Sequence, residues 1–329
     1  MTEAQTAISA AAARVFIDGQ AGTTGLEIAE RLAGHPQIEL IEIEAAARKD
    51  AASRARCMAA ADITVLCLPD AAVPEALKLA GAGRVLDASS VNRTADGWAY
   101  GLPELDPALR QALGSAVLAA NPGCYPQGFL LLLRPLLDAG WVQRELPLCL
   151  HALSGFSGGG RPLIDRYRAE TATGEPAAPR SYALDGGHKH LAEMQRFSGL
   201  NTAPVFNPIV GSYHQGMLVQ VPLHRSQLAG AGAAAADPRG AIEALLTVRY
   251  AAEPLVGVRP LDAGDPRQNG FLDPEALNET DRIELMVFGD HQHLTLAARY
   301  DNLGKGAAGA AVQNLNLMLG LKETTALRL

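Results

Sequence analysis

Apolar positions follow two patterns along this chain, and the change comes near residue 124. Before it, short continuous apolar runs alternate with amphipathic stretches. RVFIDG (14–19), IELIEIE (38–44), DITVLCLPD (62–70), GRVLDASS (83–90) and SAVLAANPG (115–123) read as buried strands. Between them, TGLEIAERLAG (24–34) places Leu26, Ala29 and Leu32 on roughly one helical face, and AAVPEALKLAGA reads as another helix. Buried strands separated by helices predict an α/β fold, a Rossmann-type doubly wound parallel sheet. After the apolar helix FLLLLRPLLDAG the runs lengthen and alternate: PLCLHALSG (147–155), GMLVQVPLH (216–224), RIELMVFG (282–289) and HLTLAARYDN (293–302). They predict a second, α+β unit with a mixed or antiparallel sheet covered on one face. AGAGAAAADPRGA (229–241) reads as a surface connection, and KGAAGAAVQNLNLMLGL as a closely packing helix rich in small residues. The expected division is 1–123 and 124–302, with the C-terminal helix (303–329) returning to complete the first unit. No internal repeat is visible.

Two turn-rich points interrupt this pattern. The first, DGQAGTTGLEIAERL, follows a strand and opens a helix, spacing Gly19, Gly22 and Gly25 with Ala21, Thr23 and Thr24 between them. Glycine lets the backbone bend sharply and approach a pyrophosphate, and a helix N-terminus offers unpaired N–H donors. The spacing departs from G-x-G-x-x-G, so the strand before and helix after carry the assignment to a dinucleotide. Glu44 stands where an acid would hold a ribose 2′-hydroxyl, yet Arg48 and Lys49 follow and suit a 2′-phosphate. The balance favours NADP(H) over NAD, against the alternative that both cations merely open a solvated helix.

The second point is AANPGCYPQG (119–128), where Cys124 follows a strand and a turn and opens an apolar helix. A thiolate is nucleophilic, and a helix N-terminus lowers a thiol pKa, so Cys124 is a candidate nucleophile ionised near neutral pH, with a packing role as the alternative. Cys57, Cys67 and Cys149 have apolar or Ala-rich neighbours and read as packing residues.

Composition then removes function classes. At 329 residues two units are expected, and 48% hydrophobic with 19% charged residues fits a soluble globular protein. A net charge of −7 with no long basic run argues against a nucleic-acid partner. No run of about 18 apolar residues predicts a membrane span. The start, MTEAQTAISAAAARVFIDG, reads as a frayed leader before the first strand, and four unpaired cysteines as free thiols in a reducing cytoplasm. HKH (188–190) and DHQH (290–293) fix no third ligand, so no metal is expected. His151, His214, Trp98 and Trp141 read as structural.

Together, DGQAGTTGLEIAERL, RKD (48–50), CLPD (67–70), GLPEL (101–105), NPGCYPQG, SGFSGGGR (154–161), GHKHLAEM (187–194) and DNLGKGAAGAAVQNLN (301–316) resemble the N-acetyl-γ-glutamyl-phosphate reductases, in the shorter of that family's two sequence types, from about residue 14 to 321. The Cys124 and C-terminal blocks are the specific ones; Gly304 stands where a larger apolar residue is expected. The resemblance implies NADPH-dependent reduction of N-acetyl-γ-glutamyl phosphate through a Cys124 thioester, in arginine biosynthesis. His190 would be the acid–base residue, preferred over His188, with Glu193 orienting that ring or contacting substrate. Ser154, Gly155, Arg161, Arg93 and His188 become substrate candidates, Ser89 sits beside the nicotinamide, and Asn302 and Lys305 reach the cofactor amide or close the interface between units. A homodimer or homotetramer is expected. The alternatives are a related reductase of the aspartate-semialdehyde or N-acetyl-aminoadipyl type, or a dinucleotide-binding protein without chemistry.

Overall fold

The computed structural model describes residues 12–172, 174 and 178–329; most of the expected N-terminal leader lies outside them. The first unit is built on β1 (Ala13–Asp18), β2 (Ile38–Ile41), β3 (Ile63–Leu66), β4 (Val85–Asp87), β5 (Ala99–Tyr100) and β6 (Leu118–Ala120). Every pairing in this sheet is parallel, in the order β2-β1-β3-β4-β6-β5. Its helices are α1 (Thr23–Leu32), α2 (Ala51–Ala60), α3 (Val73–Ala80) and α4 (Pro107–Ser115). Alternation along β1 divides the core. Val15 and Ile17 pack with Ile28 and Leu32 of α1, whereas Phe16 packs with Met58 of α2 and Val73 and Ala76 of α3. Helices therefore cover both faces, as expected of a doubly wound sheet.

The second unit begins with α5 (Cys124–Asp138) and adds α6 (Gly160–Thr171), α7 (Leu191–Ser198), α8 (Gly230–Ala234) and α9 (Pro238–Tyr250). Its strands are β7 (Cys149–Ser154), β8 (Arg180–Ser181), β9 (Val205–Val210), β10 (Met217–His224), β11 (Val256–Val258), β12 (Ile283–Gly289) and β13 (His293–Tyr300). They form one mixed sheet in the order β11-β12-β13-β10-β7-β9-β8, antiparallel except at β11/β12 and β7/β9. α10 (Gly309–Met318) returns to the first unit, where Ala311, Val312, Leu315 and Met318 join the cluster of Val15 and Ile28.

α5 is the core of the second unit. Phe129 to Leu133 are buried on every side, against Val219 and Val221 of β10 and Tyr300 of β13. Its sequence contains Pro135, which has no N–H to give the carbonyl four residues earlier. The Tyr250 hydroxyl on α9 donates to that Leu131 carbonyl at 2.7 Å, so the helix continues without an orphaned acceptor.

The structure departs from the sequence reading in several places. β5, β8, β9 and β11 were not foreseen. The first, second and fourth are only 2–3 residues long, too short for a periodic signal, and β9 carries Pro208. The expected connection at 229–241 holds α8 and the start of α9, which Asp237 caps by accepting the Arg239 N–H. Cys149 is exposed at the start of β7 rather than packed, because its neighbours Leu148 and Leu150 take the inward positions. Trp98 and Trp141 do pack against the apolar clusters. Among the described residues no helix is long and apolar enough to cross a membrane.

Candidate active site

β6 ends at Ala120 and the chain turns through Asn121-Pro122-Gly123 into α5, with Gly123 as N-cap and Cys124 as the first helical residue. Pro126 falls in the first turn, where no intrahelical donor is needed. The Tyr300 hydroxyl inserts into that turn. It donates to the Cys124 carbonyl at 2.7 Å and accepts the Gly128 N–H at 3.2 Å, bridging the pair that would otherwise bond directly. A side chain on Gly128 would fill the space that the tyrosine uses.

Two residues of the HKHLAEM segment close on Gly123 from different sides. His190 is the N-cap of α7 and is buried; a Cβ placed on Gly123 would lie 2.6 Å from its Nε2. Glu193, three residues on, is also buried, and its Oε2 accepts the Gly123 N–H at 2.9 Å and the Tyr100 hydroxyl at 3.0 Å. Its Oε1 accepts from the Arg93 guanidinium at 2.8 Å. Glu193 therefore holds Arg93 and the backbone before Cys124; it does not hydrogen-bond the His190 ring and is absent from the cleft lining. The structure gives Glu193 other partners than the His190 ring that the sequence reading offered it. Arg93 donates its remaining hydrogen bonds to the Asn121 carbonyl at 2.9 Å and the Ala88 carbonyl at 3.3 Å, so its place beside Cys124 is fixed from three directions.

Protonation differs from the sequence expectation. Cys124 is half-buried, and desolvation pushes its thiol up to about 11, against the pull of Arg93, the Tyr125 N–H and Lys189. A helix N-terminus contributes about 0.3–1 kcal/mol, less than one pKa unit, so burial outweighs it. His190 lies well below the usual histidine range, first through burial and then through Arg93, His188 and Lys189. Burial thus favours a thiol beside a neutral imidazole in this pair. His190 Nδ1 is buried without a hydrogen-bond partner among the described residues. Cys67, half-buried in the first unit, is pushed up to about 12, first by burial and then by Asp87 and Asp18.

Cys124, His190 and Arg93 open into a cleft of about 910 Å³, which Thr23 and Thr24 at the start of α1 also line. Gly19 has φ +91°, and a side chain there would collide with the Cys67 carbonyl, so the turn before α1 is a glycine position on conformational and steric grounds. Gly22 caps α1 without a side-chain hydrogen bond, which leaves the first-turn N–H groups of Thr23, Thr24 and Gly25 directed out of the helix start. Ala21 belongs to the same turn. Arg48 and Lys49 are exposed beyond the end of β2. Because β1 and β2 are parallel, they lie at the same sheet edge as the glycine turn. Ser89 is buried and committed to the Asp87 carboxylate, to which its hydroxyl donates at 2.8 Å.

The remaining candidates separate. Ser154, Gly155, His188 and Asn302 line the cleft. Asn302 donates to the Ser157 hydroxyl at 2.9 Å and accepts the Gly216 N–H at 2.8 Å, so it ties the SGFSGGGR loop to the strand end opposite. Lys305 reaches no cofactor position; it is fully buried against Glu104 at 2.7 Å. Arg161 is exposed and outside the cleft lining. The glycine run that read as a loop becomes α6 at Gly160, and the helical face turned to the cleft carries Pro162, Leu163 and Arg166. Sequence reasoning missed Arg166, Arg180, Lys189, Tyr125 and Tyr182, all in the lining. Lys189 and Tyr125 adjoin residues already singled out; the others carry no local signal.

Comparison with known proteins agrees with this architecture. The sequence profile of the semialdehyde dehydrogenase dimerisation domain matches residues 124–302. N-acetyl-γ-glutamyl-phosphate reductase 2 of Nostoc sp. is 45% identical over 320 residues, covering 94% of this chain and 98% of that protein. The N-acetyl-γ-glutamyl-phosphate reductase of Burkholderia ambifaria is 45% identical over 312 residues, covering 93% and 96%. Among solved structures, aspartate semialdehyde dehydrogenase II of Vibrio cholerae, complexed with ASA, superposes with a TM-score of 0.67 at 17% identity, covering 94% of this chain and 99% of that one. The Candida albicans aspartate semialdehyde dehydrogenase with NADP gives a TM-score of 0.61 at 12% identity, covering 94% and 99%. At such identities these structures speak to the fold, while the curated relatives speak to the lineage. The chain belongs to the N-acetyl-γ-glutamyl-phosphate reductase family.

Proposed function

We propose that this chain reduces N-acetyl-γ-glutamyl phosphate with NADPH to N-acetylglutamate semialdehyde and phosphate, a step of arginine biosynthesis, in the cytoplasm and as a homodimer or homotetramer. The observation that carries the reading is a half-buried thiol at a helix mouth, with a buried neutral imidazole against the adjoining residue, in one cleft with the open start of α1.

The turn at Gly19, Ala21, Gly22, Thr23, Thr24 and Gly25 fits a dinucleotide pyrophosphate, because its helix-start donors face the cleft with no side chain capping them. Arg48 and Lys49, free of ion pairs among the described residues, would take the 2′-phosphate. In the acyl-transfer step the Cys124 sulfur bonds to the acyl carbon while its proton passes to His190. The carbon–oxygen bond to phosphate breaks, and phosphate leaves with the electron pair. Arg93 and Lys189 favour the developing thiolate, which lowers the cost of starting from a thiol near 11. The Cys124 N–H, at the start of α5, helps stabilise the oxyanion of the addition. NADPH, when bound, supplies the hydride that reduces the resulting thioester. His190 then gives its proton to the carbonyl oxygen and takes it back as the carbon–sulfur bond of the thiohemiacetal breaks.

The test runs the reaction backwards. With NADP⁺, phosphate and N-acetylglutamate semialdehyde, reduced-nicotinamide absorbance rises, and the rise depends on phosphate. No rise with any of these reactants at saturation defeats the reading.

A further inference from the structure

The charges that face the cleft are of one sign. Arg93, Arg166, Arg180 and Lys189 line it, and among the described residues no aspartate or glutamate does. Two acids pair with three of these cations without lining the cleft themselves. Glu193 holds Arg93 at 2.8 Å, and Glu170 takes Arg166 at 3.0 Å and Arg180 at 2.7 Å. Lys189 makes no ion pair among the described residues and is exposed to the cleft.

The wall between these cations is uncharged and its hydrogen bonds are already ordered. His188 Nδ1 accepts the His190 N–H at 3.1 Å, so the ring proton of neutral His188 sits on Nε2 and donates to the Tyr182 hydroxyl at 3.3 Å. The Tyr182 hydroxyl in turn donates to the Tyr125 hydroxyl at 3.2 Å. Burial, then Lys189 and Arg93, hold His188 down at about 4, so it stays neutral where the enzyme works. A substrate carboxylate and phosphate find guanidinium and ammonium partners here, and among the described residues no carboxylate lines the cleft to meet an α-ammonium.

We propose that the cleft selects N-acylated acyl phosphates over their free-amino counterparts by charge, excluding an α-ammonium because the charged side chains that line it, among the described residues, are all positive, rather than by reading the acetyl group itself. This rests on the reductase reading above. Acylation then matters because it removes a charge, and an analogue with no nitrogen at all is accepted as well.

A matched four-carbon series tests this in the phosphate-dependent direction: N-acetylaspartate semialdehyde, succinate semialdehyde and aspartate semialdehyde, which differ only at the α-carbon. Charge selection gives kcat/KM values within about tenfold for the first two and at least about a hundredfold loss for the third, roughly 2.7 kcal/mol at 1.36 per decade. The Arg166→Gln, Arg180→Gln double variant narrows the gap between the first and third at least about fivefold. Equal kcat/KM for succinate and aspartate semialdehydes, or an unchanged gap in the variant, overturns the proposal. N-acetylglutamate semialdehyde is run alongside; its failure would count against the reductase reading, whereas its turnover with either of those outcomes counts against charge selection alone.

Discussion

The two ends of the cleft are made of different materials. At the α1 end the groups on offer belong to the backbone: a glycine at φ +91° and the open N–H groups of the first helical turn. At the α5 end they are side chains from segments far apart in sequence. Cys124 sits at a helix start, Arg93 comes from the loop after β4, His190 and Glu193 from the cap and first turn of α7, and Tyr300 reaches in across 176 positions. At the first end the geometry depends on the glycines of the turn rather than on side-chain contacts. The second is a set of dependencies, in which Glu193 acts by holding Arg93 and the Gly123 N–H, and Tyr300 by bridging the first turn.

The contrast can be broken at its strongest point first. Cys124→Ser lowers kcat by about 10⁴-fold or more while leaving the NADPH Kd within about twofold, by turnover and fluorescence titration, because the nucleophile is not part of the cofactor turn. Loss of cofactor affinity in parallel would show that the two ends are not separable.

The next effect is on pH. Burial favours the neutral thiol, so the reactive thiolate grows with pH up to about 11. In a chain with the other three cysteines changed to serine, the ligand-free iodoacetamide rate at Cys124 rises about tenfold per pH unit from neutrality toward 10. A plateau near pH 7 would mean that a thiolate–imidazolium pair is the resting state. The three replacements matter, because the exposed Cys149 would otherwise dominate labelling.

Glu193→Gln keeps the shape but removes the charge behind Arg93. It lowers kcat by about 10–100-fold with the NADPH Kd unchanged, and it shifts the pH profile of Cys124 alkylation, which a purely structural loss would not do. Smallest is Arg48→Ala, which weakens NADP binding about tenfold and NAD binding little, measured as the ratio of the two Kd values. An unchanged ratio removes Arg48 from the 2′-phosphate.

The same contrast governs how much was legible in the sequence. Strand, glycine turn and helix are local, so the α1 end and the parallel sheet could be read directly, and Cys124 announced itself by its turn residues. The α5 end could be read only in fragments. Arg161 reads as the cation of that loop and Arg166 escapes notice because the glycines hide where α6 begins, and about five residues is some 140° round a helix. Glu193 looked like a partner for His190 because they share a segment, but cap and first-turn side chains diverge, one on each side of Gly123. Tyr182 and Arg180 come from a two-residue strand and its end, which no periodicity marks. A helix start, which favours the thiolate, is visible in sequence, whereas the burial that opposes it at Cys124 is a property of the fold.

The most direct test is the covalent bond itself. N-acetylglutamate semialdehyde and NADP⁺ are mixed with the enzyme without phosphate, quenched in acid, and the intact mass and cysteine peptides are read. One acyl group per chain, on the Cys124 peptide and released by phosphate, is the predicted result. Turnover with no adduct, or an adduct on Cys149 in its place, would contradict the account.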